Sequence, residues 1–127
     1  MVDYLIFTDI LNHMVEYNED NLSELLKAIS DTTRRSLLVQ LCQHGPSRVT
    51  DLATLYDMSL NAISKHIKVL EKADLVTRKT IGRTHLIEAN LQKLNIVESW
   101  FSELKSIWEM RLDKLNEIIL EKEDKHD

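Results

Sequence analysis

The stretch "RVTDLATLYDMSLNAISKHIKVLEKADLV", residues 48–76, holds two helical patterns separated by a short polar break. In the first, Val49, Leu52 and Ala53 recur at the spacing of one helix face. In the second, Ile63, Ile67 and Leu70 fall within about 60° of one another at 100° per residue. The residues "DMS" offer a tight turn between them, and Ser59 can cap the second helix. Two short helices joined in this way form a helix-turn-helix. On the opposite side of the second helix, Asn61, Lys65, Lys68 and Lys72 lie within about 60° of one another, with Ser64 on the near flank. Taken alone, a row of lysines marks only a solvated helix face. Here the row occupies the second helix of the pair, the element that a helix-turn-helix places in the major groove.

Charge along the chain points the same way. The formal net charge is −5, yet residues 59–87 carry six bases, Lys65, Lys68, Lys72, Arg78, Lys79 and Arg83, against Glu71 and Asp74. The acidic excess lies in residues 1–29 and 98–127. A basic segment between acidic ends is the footprint of a polyanion site, because local and not total charge governs such binding. Downstream, "LVTRKTIGRTHLIEA" reads as two β-branched strands around a turn at Gly82, with Arg78, Lys79 and Arg83 near its tip. Such a wing can hold phosphates beside the second helix, or its charges can simply protect an edge strand.

The rest of the chain reads as helix. Two glycines and one proline among 127 residues, with 29% charged residues, favour helices with short connections over a sandwich. Phe7, Ile10, Leu11, Met14 and Val15 form a first stripe, and Leu22, Leu25, Leu26 and Ile29 a second. Ser30 or Asp31 can then cap a third helix with Leu37, Leu38 and Leu41 on its inner face. Gly45 suits its C-terminal end, and Ser47 can cap the next helix. Cys42, the one cysteine, is expected as a small core residue. It and His44 lack an orienting third group, so no catalytic residue is expected and the chain is not read as an enzyme. No basic leader and no apolar run of about 20 residues is present, which predicts a cytoplasmic protein without signal peptide or membrane span.

"SDTTRRSLLVQL", "VTDLATLYDMSLNAISKHIKVLEKADLV" and "IGRTHLIEAN" together resemble the winged helix-turn-helix of the ArsR-type (ArsR/SmtB) bacterial transcriptional repressors, over about residues 22–90. The family's serine, then Ser-Lys-His, then a leucine-bearing helix and Gly-Leu-Val align with Ser59, Ser64, Lys65, His66, Leu70 and "ADLV". Asp74 stands where glycine is common, and Thr32 stands where the family has proline. The resemblance implies a homodimer that binds double-stranded operator DNA at an inverted repeat and represses transcription, often releasing DNA when an effector arrives. Taken with the basic helix face and the wing, it points to DNA binding by Ser59, Asn61, Ser64, Lys65, His66, Lys68, Lys72, Arg78, Lys79 and Arg83. For His66, partly buried by the same winding, packing competes with phosphate contact. Metal sensors of the family use thiolate clusters or His/Asp/Glu sets. With one cysteine and no histidine on the last helix before His126, no metal and no cofactor are expected, and the metal-independent subclass fits.

The C-terminal segment supplies a partner surface. Leu94, Val97, Phe101, Leu104, Trp108, Leu115 and Ile118 alternate at spacings of 3 and 4, with Arg111 in one slot. Part of this stripe suits packing within the chain. The remainder, Phe101, Leu104, Trp108 and Leu115, joins Phe7, Ile10, Leu11 and Met14 as a two-fold interface like that of the resembled family. The expected architecture is one mostly α domain of about six helices with a small hairpin wing. It comprises an N-terminal dimerisation helix (1–21), the winged helix-turn-helix (22–90), a C-terminal dimerisation helix (91–120) and a charged tail (121–127). The competing function is a protein-interaction module that turns the Lys65/Lys68 face toward an acidic protein. Neither reading involves a membrane, and the effector is unknown.

Overall fold

Helix boundaries in this chain follow from local capping chemistry. The computed structural model describes residues 20–126. Residues 20–29 are helical (α1) and bury Leu25 and Ala28. Asp31, with extended backbone, then accepts a hydrogen bond from the Arg34 N–H at 3.1 Å and starts α2, Thr32–His44. Gly45 ends α2 at φ 78°, its N–H donating to the Leu41 carbonyl. A two-residue strand β1, Ser47–Arg48, leads into α3, Val49–Leu55, and Ser59 caps α4, Leu60–Lys72.

Both α3 and α4 end in a Schellman motif with aspartate where glycine is usual. After α3, Asp57 (φ 51°) donates to the Thr54 carbonyl at 3.2 Å and Met58 to that of Ala53 at 3.0 Å. After α4, Asp74 (φ 57°) donates to Glu71 and Leu75 to Leu70, both at 2.9 Å. Aspartate tolerates the left-handed region better than most residues, which explains how Asp74 replaces glycine. Leu70 and Leu75 are fully buried across this turn, which sends the chain directly into the wing.

The wing is β2, Val76–Ile81, antiparallel to β3, Thr84–Ala89. Gly82 (φ 62°) and Arg83 connect them in the manner of a type II′ turn, with glycine at the position that needs positive φ. Strand order is β1-β3-β2, with Ser47 opposite Ile87 and Arg48 opposite Leu86. Leu25, Leu37, Leu52, Ile63, Ile67, Leu70, Leu75 and Ile87 form the fully buried core. At about 1.5–3 kcal/mol for each buried aliphatic side chain, this cluster holds the helix-turn-helix against α1, α2 and the sheet.

Helix α5, Leu94–His126, runs 33 residues, about 50 Å at 1.5 Å per residue. The chain divides into two compact units, Met1–Ile96 and Val97–Asp127. The second unit consists of α5 from Val97 onward. A helix of that length makes its contacts mostly within itself.

Five of the six expected helices lie in the described region, and the helix expected over Phe7–Val15 lies outside it, as do Phe7, Ile10, Leu11 and Met14. Four expectations need correction. The charged tail is helical through His126, because Glu, Lys and Asp in the last turns carry no breaker. Ser47 is not a cap: it pairs in β1 while Arg48 occupies the cap position without a side-chain bond. Cys42 is exposed, since it lies roughly a quarter-turn from the Leu37, Leu38 and Leu41 face. Arg78 lies mid-strand opposite Ile87, three residues before the end of β2, and not near the hairpin tip.

Candidate nucleic-acid interface

Helix α4 turns its two faces to different tasks. Ile63, Ile67 and Leu70 are buried, and Asn61, Lys65, Lys68 and Lys72 are exposed on the other side with Ser64 half-buried between. Ser59 is occupied as the cap: its Oγ accepts from the Ala62 N–H at 3.1 Å, so its role is first to set where the exposed face begins.

Ion pairs sort the basic residues. Lys72 Nζ stands 3.5 Å from Glu24 of α1, and Lys79 Nζ 3.5 Å from Glu88 across the hairpin. Arg78 Nη2 donates to Glu71 Oε1 at 2.8 Å, tying β2 to the end of α4. Among the described residues, Lys65, Lys68 and Arg83 have no acidic partner within 4.0 Å. These three therefore present uncompensated charge, while exposed pairs such as Lys72–Glu24 are weak enough to be exchanged for a phosphate.

A cleft of about 470 Å³ opens between the start of α4 and the wing. Leu60 and Ser64 form its α4 wall, and Arg78, Arg83, Thr84 and His85 its wing wall. Arg48, Val49 and Thr50, at the junction of β1 and α3, close the third side. The fold thus brings Ser64, Arg78 and Arg83 together and leaves Lys72 and Lys79 outside. Arg48, Thr50 and His85 belong to this site although their sequence positions carried no signal. Arg48 is presented only because β1 pairs with β3, and its Nε donates to Asp51 Oδ2 at 3.0 Å with both side chains open to solvent. His85 Nδ1 lies 3.2 Å from Thr80 Oγ1 across the hairpin.

His66 belongs elsewhere. It is 22% exposed and faces the start of α2, with Nδ1 3.3 Å from Arg34 Nη1 and 3.8 Å from Asp31 Oδ2. The winding that clears Lys65 for solvent turns the next residue toward α2, where His66 meets Arg34 and Asp31. The Arg34 N–H at Asp31 holds that carboxyl below its usual range, with the Arg34 charge acting in the same direction.

On α5, Phe101, Leu104, Trp108 and Leu115 are exposed, Trp108 by 60%. Wound at 100° per residue, Leu112 and Ile119 join them in a strip about 80° wide, which the heptad reading missed because Arg111 occupied its slot. Trp100 and Phe101 stack edge to face at 5.0 Å at the head of this helix. Among the described residues no group of three His, Cys, Asp or Glu side chains could hold a metal ion, and no helix is long and apolar enough to cross a membrane.

Residues 31–78 match the profile of the family described as "Bacterial regulatory protein, arsR family". The chain is 31% identical to the arsenical resistance operon repressor of Bacillus subtilis (strain 168) over 84 residues, 61% of this chain and 80% of that protein. It is 36% identical to the HTH-type transcriptional regulator YuzN of the same organism, over 63% of this chain and 95% of that one. The structure of an ArsR-like transcriptional regulator from Rhodococcus sp. RHA1 superimposes with a TM-score of 0.70 at 28% identity, covering 80% of this chain and 94% of the other. These relatives are regulators and not enzymes. With the α3–α4 pair, the wing and the exposed basic face already in place, the chain belongs to the arsR family of bacterial regulatory proteins and is a DNA-binding transcriptional repressor of winged helix-turn-helix fold.

Proposed function

We propose that this repressor works in the cytoplasm as a homodimer on an inverted-repeat operator, with α4 of each copy in the major groove. The supporting observation is the continuity of unpaired positive charge from Lys65 and Lys68 of α4 to Arg83 of the wing, across a cleft edged by Arg48 and Arg78. Asn61, Ser64 and Lys65, nearest the start of α4, read base edges, since recognition helices present that end. Lys68 and Arg83 hold phosphates, joined by Arg48 and Thr50 at the cleft, while Lys72 and Lys79 contribute only by leaving Glu24 and Glu88. Ser59 orders the helix start, and Arg78 braces the wing through Glu71.

The dimer forms through the exposed strip of α5, where Phe101, Leu104, Trp108, Leu112, Leu115 and Ile119 leave more apolar surface in water than a monomer usually tolerates. The sequence stripe of Phe7, Ile10, Leu11 and Met14 is assigned to the same dimer contact on its apolar spacing alone. Two copies of α4 then meet half-sites about 34–36 Å apart, one helical turn of DNA. Selection of genomic fragments with the purified protein tests the reading. Recovery of one short inverted repeat supports it, and indiscriminate or absent recovery at moderate salt refutes it in favour of a protein-interaction module.

A further inference from the structure

Arg34 sits where three helices meet. Its Nε donates to the Ala28 carbonyl at 2.7 Å and its Nη2 to that of Lys27 at 3.1 Å, closing the end of α1, whose last carbonyls have no partner within the helix. Its backbone N–H is held by Asp31 at the start of α2. The remaining nitrogen, Nη1, lies 3.3 Å from Nδ1 of His66, midway along α4. A guanidinium only donates, so Nδ1 must act as the acceptor in this contact, which needs the ring proton on Nε2. Asp31 Oδ2, at 3.8 Å, is too far for a hydrogen bond to the same nitrogen.

We propose that Arg34 and His66 are a positioning pair that seats α4 against α1 and α2, and that protonation of His66 releases the seat. The inference rests on the DNA-binding role of α4 proposed above. A proton on Nδ1 removes the acceptor and sets two cations against each other, with Asp31 an anion 3.8 Å away to which the ring can turn. Among the described residues, Arg34 of α2 and Asp31 at its cap are the charged groups within 4.0 Å of the His66 ring nitrogens. From α1, Glu24 is engaged by Lys72, and the Ala28 and Lys27 carbonyls are engaged by Arg34. On α4 itself the neighbours one turn away, Ala62, Ile63, Val69 and Leu70, carry no charge. Since the same helix carries Asn61 and Lys65, a shift in its seat alters the reading of bases more than the attraction to phosphate. The consequence is a loss of sequence preference at acid pH, not a loss of DNA binding.

The experiment measures affinity for the selected inverted repeat and for a scrambled duplex, at about pH 5.5 and 7.5, the range over which histidine ordinarily changes charge. Wild type is compared with His66→Ala and with His66→Asn, whose carbonyl oxygen stands where Nδ1 stood and does not titrate. The preference of wild type falls about tenfold at the lower pH, the scale expected for losing a hydrogen bond to a charged group. His66→Asn keeps its preference at both values, and His66→Ala is low at both. Identical pH profiles for wild type and His66→Asn, or full preference in His66→Ala, overturn the pair. Thermal unfolding without DNA supplies a second readout: the Tm gap between wild type and His66→Ala shrinks at the lower pH, and a constant gap overturns the pair. A protein with no preference between duplexes at either pH refutes the DNA-reading role instead, and the DNA-free Tm comparison then decides the contact by itself.

Discussion

Lys68→Ala isolates the phosphate-binding part of the interface. Lys68 is exposed on α4 and, among the described residues, has no acidic partner, so its removal breaks no ion pair and leaves no orphaned carboxylate. Each phosphate neutralised contributes about 0.9 to the slope of log K against log salt, and a two-fold dimer counts each residue twice, so the slope falls by about 1.8. Operator and scrambled duplex lose affinity equally, because phosphates carry no sequence. Lys65→Ala, one turn nearer the helix start, behaves differently: it removes about 1–3 kcal/mol of discrimination per half-site and changes the slope less. Lys72→Ala is intermediate, since Lys72 must first leave Glu24, so its effect on the slope is below that of Lys68→Ala. Fluorescence anisotropy titrations of both duplexes across about 50–250 mM salt resolve these cases. Equal slopes for Lys68→Ala and wild type, or identical losses on both duplexes for Lys65→Ala and Lys68→Ala, refute the division of labour along α4.

Leu104→Asp, at the centre of the exposed strip of α5, should convert a dimer at about 10 μM into monomer in analytical ultracentrifugation and weaken operator binding in parallel, because charge replaces apolar area at the interface core. A wild-type monomer at that concentration would contradict the assignment. Asp57→Gly should raise the denaturant midpoint, by about 0.5 kcal/mol of stability, since glycine adopts the left-handed φ of 51° without side-chain strain, whereas Asp57→Ala should lower it. Because the carboxyl of Asp31 is held below its usual 3.8 in the folded chain, its charge stabilises the fold at neutral pH, and that contribution disappears as pH falls below about 4. Asp31→Asn keeps a cap oxygen but not the charge, so its Tm deficit against wild type should be present at pH 6 and shrink toward pH 3. A deficit independent of pH would remove the charge from the explanation.

What the chain carries in its own order of residues is everything local. The 3.6-residue period of Ile63, Ile67 and Leu70, the capping by Asp31 and Ser59, the stop at Gly45 and the turn at Gly82 each act within a few residues, and all are legible as spacing. The helix-turn-helix, the wing and the basic face of α4 follow from those signals and from the local excess of lysine and arginine. Only tertiary structure decided which of those cations remain unpaired. Glu24 lies 48 residues before Lys72 in the sequence, and His66 lies 32 after Arg34, so no periodicity relates them. Strand β1 is two residues long, too short for alternation to show, yet its pairing with Ile87 and Leu86 is what carries Arg48 to the cleft. Cys42 fails as a core residue for a related reason: period specifies a face, but the width of face that is covered depends on which neighbours pack against it. Hydrophobic pattern is written along the chain, whereas compensation of charge is settled by whatever the folded chain sets within a few ångströms.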